Sequence, residues 1–171
     1  MKFGPQFVLL SALLLPTTLA CMNLFPEAPV TFADDRFVVT KPAAWSTLNG
    51  LNDEADLQMG SHLNNAYCII LTESKLDFAK PPSLQEFSDL TRAGVTASLT
   101  NISISGPESI TANGHAALRY TMEGTGDNIN LKYWHIVVDT GTDLHQVMFW
   151  SLRSKFDRNT PDFETVLNSL Q

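Results

Sequence analysis

Residues 128–154 read NINLKYWHIVVDTGTDLHQVMFWSLRS. Two long runs of β-branched and aromatic residues flank Asp139–Asp143, a group of turn formers around Gly141, which is the pattern of a β-hairpin. Taking Gly141 as the centre sets Val137 opposite His145, His135 opposite Val147 and Tyr133 opposite Phe149. Trp134, Ile136, Met148 and Trp150 then share the other face. Each face is rich in apolar side chains, so the hairpin belongs in the middle of a sheet with a layer over either side. His135 and His145 fall on one face in this register, and a slip of one residue would send them to opposite faces.

Outward from the hairpin, the elements alternate cleanly. Upstream, TNISISG, ESITANG and HAALRYTMEG read as strands or strand-turn units, with Asn113-Gly114 as a tight turn. Before them, Ser83 followed three residues later by Glu86 forms a capping box behind two prolines, and Leu84, Phe87 and Leu90 recur at helical spacing as the buried stripe. Gly94 weakens the second half of that helix. Earlier still, ADLQMGS and NAYCIILTES read as strands, the second apolar on both parities and so covered on both faces. RFVVT is a further strand, closed by Lys41-Pro42, and Trp45 plugs one end of the core. Downstream, NTPDFETVLNSL is a closing helix with Thr160 as N-cap, Pro161 as first helical residue and a stripe of Phe163, Val166, Leu167 and Leu170.

The beginning of the chain reads as an address. Lys2 precedes an apolar run from Phe7 to Leu15, which Pro16 ends; the run is too short to span a membrane and suits the core of a signal peptide. The stretch LLSALLLPTTLACM, Leu9 to Met22, ends in Ala20-Cys21, which matches the close of a bacterial lipoprotein box, although Leu19 sits one place nearer the cysteine than the usual leucine. A plain secretory signal would be cut at the same bond. The expected organisation is a signal peptide over 1–20, a Pro-containing tether over 21–35 and one domain over 36–171, with Cys21 as the lipidation site and an acyl anchor in the bilayer. Met22 stands where an aspartate would argue for inner-membrane retention, which points to the outer membrane if the source is Gram-negative. Cys68, inside AYCIILT, is expected to be a buried inert thiol, or the partner of Cys21 if that residue is not lipidated.

Composition narrows the function classes. Beyond Ala20 the chain carries all 18 acidic residues and all but one of the 11 basic ones, so its surface repels phosphate backbones and nucleic-acid binding is excluded from the expectations. No HExxH, CxxC, P-loop, GxGxxG, GxSxG or EF-hand pattern is present. His135 and His145 are a pair able to share a metal ion in the register above, but no nearby cysteine or carboxylate completes a tetrahedral set. The plainer reading is two partly buried histidines with backbone or side-chain partners. His62 and His115 lie at turns and read as solvated. Asp53, Glu54 and Asp56 cluster in a loop, and Asp139 and Asp143 flank Gly141. Loop carboxylates rarely have the raised pKa that acid-base work needs, so a solvated or weak calcium-binding role is the ceiling. Tyr133, Trp134, Phe149 and Trp150 read as core filling. No catalytic residue, cofactor site or metal site is expected.

The order RFVVTKPAAW, paired strands, SLQEFSDL, TANGHAALRYTMEG, LKYWHIVVDTGTDLHQVMFWS and FETVLNSL resembles the PsbP-like fold over Arg36 to Leu170. That fold is shared by PsbP itself, a Ran-GTPase release factor and bacterial envelope lipoproteins of the DcrB type. The resemblance implies an α+β fold, an antiparallel β-sheet flanked by helices on both faces in an α/β/α sandwich. It also implies a binding or assembly module and transfers no functional residue. The function expected is therefore that of an exported, lipid-anchored, non-enzymatic envelope protein that docks a protein or small ligand. The alternatives are a dedicated chaperone or immunity protein for a secreted effector, and a secreted hydrolase with an unrecognised site.

Overall fold

The computed structural model describes residues 27–31 and 36–171, without the side chain of Pro29. The expected signal peptide, Cys21 and most of the expected tether lie outside the described residues. The described residues are α+β, a mostly antiparallel sheet with two α-helices. Strands β1 (Ala28–Thr31) and β2 (Val38–Lys41) form a two-stranded sheet. Strands β3 (Ser46–Thr47), β4 (Leu57–Ser61), β5 (Ala66–Ser74), β6 (Thr100–Ala112), β7 (His115–Gly126), β8 (Ile129–Asp139) and β9 (Asp143–Leu152) form a seven-stranded sheet in the order β3-β4-β5-β9-β8-β7-β6. Part of the stretch expected as tether is thus a strand, with Ala28 paired to Lys41 and Thr31 to Val38.

The hairpin of β8 and β9 takes its expected place at mid-sheet, but its register differs by one residue. Tyr133 pairs with Trp150, Trp134 with Phe149, His135 with Met148 and Val138 with His145. The cause lies in the turn. The Thr140 N–H donates to the Asp143 carbonyl at 3.1 Å, and the Asp139 carboxylate accepts the Gly141 N–H at 2.8 Å. These bonds close a loop with an even number of residues, whereas centring on Gly141 assumes an odd one. Because side chains alternate with period two, that single step exchanges the faces of β9 relative to β8. His135 and His145 consequently point to opposite sides of the sheet and cannot share an ion.

Each parity of β8 has its own neighbours. Trp134, Ile136 and Val138 join Val147, Phe149, Cys68 and Ile70 in a cluster with Phe156, Phe163, Val166 and Leu167 of α2 (Phe156–Asn168). The ring of Phe163 stacks on Phe149 at 4.9 Å and meets Trp134 and Trp45 edge-on. Trp45 is buried as expected, its Nε1–H bonded to Asp162. The other parity packs differently: Val137 and Leu144 meet Phe87 of α1 (Leu84–Thr96). The C-terminus is tied to β2 by a pair of backbone bonds between Val38 and Gln171.

The two helices show what local signals do and do not decide. The capping box of α1 forms in full, with the Ser83 side chain accepting from the Glu86 N–H and the Glu86 carboxylate accepting from the Ser83 N–H. Its buried stripe is Phe87 and Ser88, while Leu90, expected inside, is 68% exposed. Helix α2 starts five residues before Pro161, so Thr160 is no cap; its hydroxyl bonds back to the Phe156 carbonyl. Phe156, 1% exposed among Trp134 and Phe163, supplies the burial that carries the helix through the proline.

Candidate ligand-binding groove

The parity that carries Tyr133 and Val137 is only partly covered by α1. Where the helix ends, a groove of about 490 Å³ opens over the sheet. Its floor is Ile69 and Leu71 of β5, Tyr133 of β8, and Gln146, Met148 and Trp150 of β9. One wall is the last half of α1, Thr91, Gly94 and Val95, and the other is the loop of Leu51, Asn52 and Glu54. The same register step that separates the histidines puts Trp150 beside Tyr133 here. Tyr67, Trp150 and Tyr133 occupy one row across β5, β9 and β8, with centroids 5.5 and 6.3 Å apart and rings nearly parallel. The row ends at Gly60, where a Cβ would run into the Ala66 carbonyl oxygen and the Tyr67 ring.

Several polar groups in the groove are poorly partnered. Gln146 is 8% exposed, and among the described residues its side chain bonds from Nε2 to the thioether sulfur of Met148, a weak acceptor. Among the described residues, the Trp150 indole N–H, the Tyr133 hydroxyl and the Glu54 carboxylate have no hydrogen-bond partner. Burial pushes the Tyr133 phenol above its usual pKa, so it stays protonated. The groove therefore combines an apolar floor with a few polar groups that solvent reaches, the composition of a small-molecule site. A second hollow of about 240 Å³ shares Leu71, Thr91 and Gln146 with it and is lined by Phe78, Phe87, Leu90 and Glu73.

The residues singled out in the sequence are mostly elsewhere. His135 is fully buried beneath α1, its Nε2 3.0 Å from the Thr91 hydroxyl. His145 is fully buried on the opposite parity, held by Thr72 and Thr140 and edge-on to Phe37. Loss of hydration lowers both imidazoles to about 4, helped at His135 by Arg92. Both have the side-chain partners of the plainer reading. His62 is exposed beside Tyr67, and His115 is half-buried at the start of β7. Of the loop acids, Glu54 reaches the groove, Asp53 is exposed, and Asp56 accepts the Thr72 N–H and pairs with Arg36. Asp139 pairs with Lys75. Among the described residues no group of three His, Cys, Asp or Glu side chains could hold a metal ion. Cys68 is a free thiol, fully buried, its pKa pushed well up by that burial. Trp134 and Phe149 are core as expected, and so is Tyr133, whose ring also borders the groove; Trp150 is half-buried at the groove, a correction that follows from the register. Sequence reasoning missed Gln146 altogether.

No protein-family model matches the chain, and no curated protein matches it. Solved structures do. LpqN of Mycobacterium tuberculosis, involved in cell envelope biogenesis, superposes with a TM-score of 0.63 at 12% identity over 87% of this chain and 91% of its own. Cyanobacterial PsbP from Synechocystis sp. PCC 6803 gives 0.57 at 13% identity, covering 85% of this chain and 91% of its own. The Ran-binding protein Mog1p of Saccharomyces cerevisiae gives 0.51 at 8% identity, covering 83% and 85%. The chain has the PsbP-like fold. Among the described residues no helix is long and apolar enough to cross a membrane.

Proposed function

We propose that this chain is an exported, lipid-anchored protein of the cell envelope that binds a small ligand in the groove and has no catalytic activity of its own. The observation that carries the binding role is the groove itself, about 490 Å³ over an apolar floor of Ile69, Leu71 and Met148 with Glu54, Tyr133 and Gln146 as its polar groups. The non-catalytic reading is supported by the titratable groups of the groove, Glu54 and Tyr133, which offer no matched acid and base, and by the enclosure of both central histidines. The α/β/α layering is supported by the two parities of β8, one packed on α2 and the other on α1. Export is supported by the apolar run from Phe7 to Leu15 and anchoring by Ala20-Cys21, with 1–20 removed, 21–35 leading to the domain at 36–171, and Met22 favouring an outer-membrane site. The likeness to LpqN fits that address. Intact mass of the protein recovered from membranes tests it. The expected species begins at Cys21 and carries a diacylglyceryl group and a further acyl chain. A mature form with an unmodified Cys21, or one that retains its leader, would overturn the anchor.

A further inference from the structure

Resting on the binding role above, we propose that the ligand is a small cationic amphiphile, an apolar body bearing one ammonium-like charge. Three observations converge on it. First, the acidic side chains along the groove and its neighbouring hollow are Glu54 and Glu73, both exposed, and no Lys, Arg or His lines either. Neither carboxylate has an ion pair among the described residues. The cation on α1, Arg92, is paired to Asp89 and laid over the Tyr120 ring at 3.9 Å.

Second, the wall of the groove is the C-terminal end of α1, where the helix dipole is negative, and its last turn holds no basic side chain to offset it. There the N–H and the hydroxyl of Ser98 both go to the Val95 carbonyl. The Gly94 carbonyl thereby loses its regular donor, and the space where a Cβ would stand on Gly94 is open. Helix end and carboxylates favour the same sign of charge. An anionic head would meet repulsion from both, in a chain whose formal net charge is already −7.

Third, the apolar part has a place to lie. Ile69, Leu71, Val95 and Met148 form a continuous apolar strip in the groove, and the shared residues Leu71 and Gln146 lead on to Phe78 and the exposed Leu90. The exposure of Leu90 in an otherwise well-formed amphipathic helix is explained if an apolar chain runs beside it. A volume of about 490 Å³ suits a small molecule rather than a folded partner.

Three probes with one tail and different heads separate the possibilities: octylammonium, 1-octanol and octanoate, titrated at neutral pH and low salt with tryptophan emission as readout. Octylammonium is expected to bind about tenfold or more tightly than octanoate, with octanol between, from two favourable charge contributions of the size surface electrostatics supplies. The double variant Glu54→Gln with Glu73→Gln should weaken octylammonium binding severalfold towards the level of octanol, the helix end keeping the remaining preference, and leave octanol unchanged. Octanoate binding as tightly as octylammonium, or a double variant with no effect on octylammonium, overturns the cationic ligand while leaving the groove as a binding site. No response to any of the three by a folded protein overturns the binding role itself.

Discussion

Replacing Gln146 with leucine should make the protein more stable. The amide is 8% exposed, and among the described residues its partner is the Met148 sulfur at 3.3 Å. A thioether is a weak acceptor, so the Nε2 donor gives up about 1 kcal/mol of the hydrogen bonding it has in water. The surroundings suit an apolar replacement: the cross-strand neighbour is Val137, and Leu144 and Met148 flank the position on the same face, all buried. A leucine of similar reach would add apolar burial at about 25 cal/mol per Å². The net expectation is a gain of about 1–2 kcal/mol, or a rise in Tm of about 2–8 °C for a chain of this size. Urea and thermal unfolding followed by circular dichroism read it directly. A loss of about 1 kcal/mol or more would refute the reasoning, because it would mean that the amide is well satisfied where it stands.

Other perturbations probe the register and the core. His135 and His145, both with folded pKa about 4 against 6.5 for a free imidazole, bind protons more readily unfolded than folded. Stability should therefore hold above about pH 6.5 and fall as pH drops towards 4, at about 1.4 kcal/mol per pH unit for each ring. Urea titrations at pH 7, 6 and 5 check this, and a flat profile contradicts it. Trp134→Ala, which empties the space beside Phe149, Phe156 and Phe163, should cost about 3–5 kcal/mol, whereas Trp150→Ala on the groove should cost distinctly less. Equal losses in denaturant midpoint would place both indoles in the core. Gly60→Ala should destabilise by about 3 kcal/mol, since its Cβ meets the Ala66 carbonyl oxygen and the Tyr67 ring; wild-type stability would show that the strand can shift aside.

Much of the architecture is legible because it rests on local chemistry. Ser83 and Glu86 announce α1, Asn113 and Gly114 turn the chain with positive φ at both residues, and the two apolar parities of Tyr67–Leu71 mark a strand covered on each side. The register of β8 and β9 is not local in that sense. It depends on whether Thr140 reaches Asp143, a choice between neighbouring loop closures that composition does not distinguish. The misplacement of Trp150 and of the histidine pair descends from that one step. It moved Trp150 from beside Trp134 to beside Tyr133, and it separated the two histidines. The beginning of α2 was hidden for another reason: Pro161 reads as a start, but tertiary burial of Phe156 outweighs the bond that proline forfeits. Gln146 carries no sequence signal, because an amide in a strand becomes notable only once its neighbours prove to be apolar.

Fluorine NMR of protein labelled with 5-fluorotryptophan offers three resonances, from Trp45, Trp134 and Trp150. The first two indoles are buried against Phe163, and only Trp150 faces the groove. On titration with octylammonium, the Trp150 signal should shift in a saturable way while those of Trp45 and Trp134 stay fixed. Movement of the two buried signals with Trp150 unmoved would contradict the assignment of this groove as the binding site.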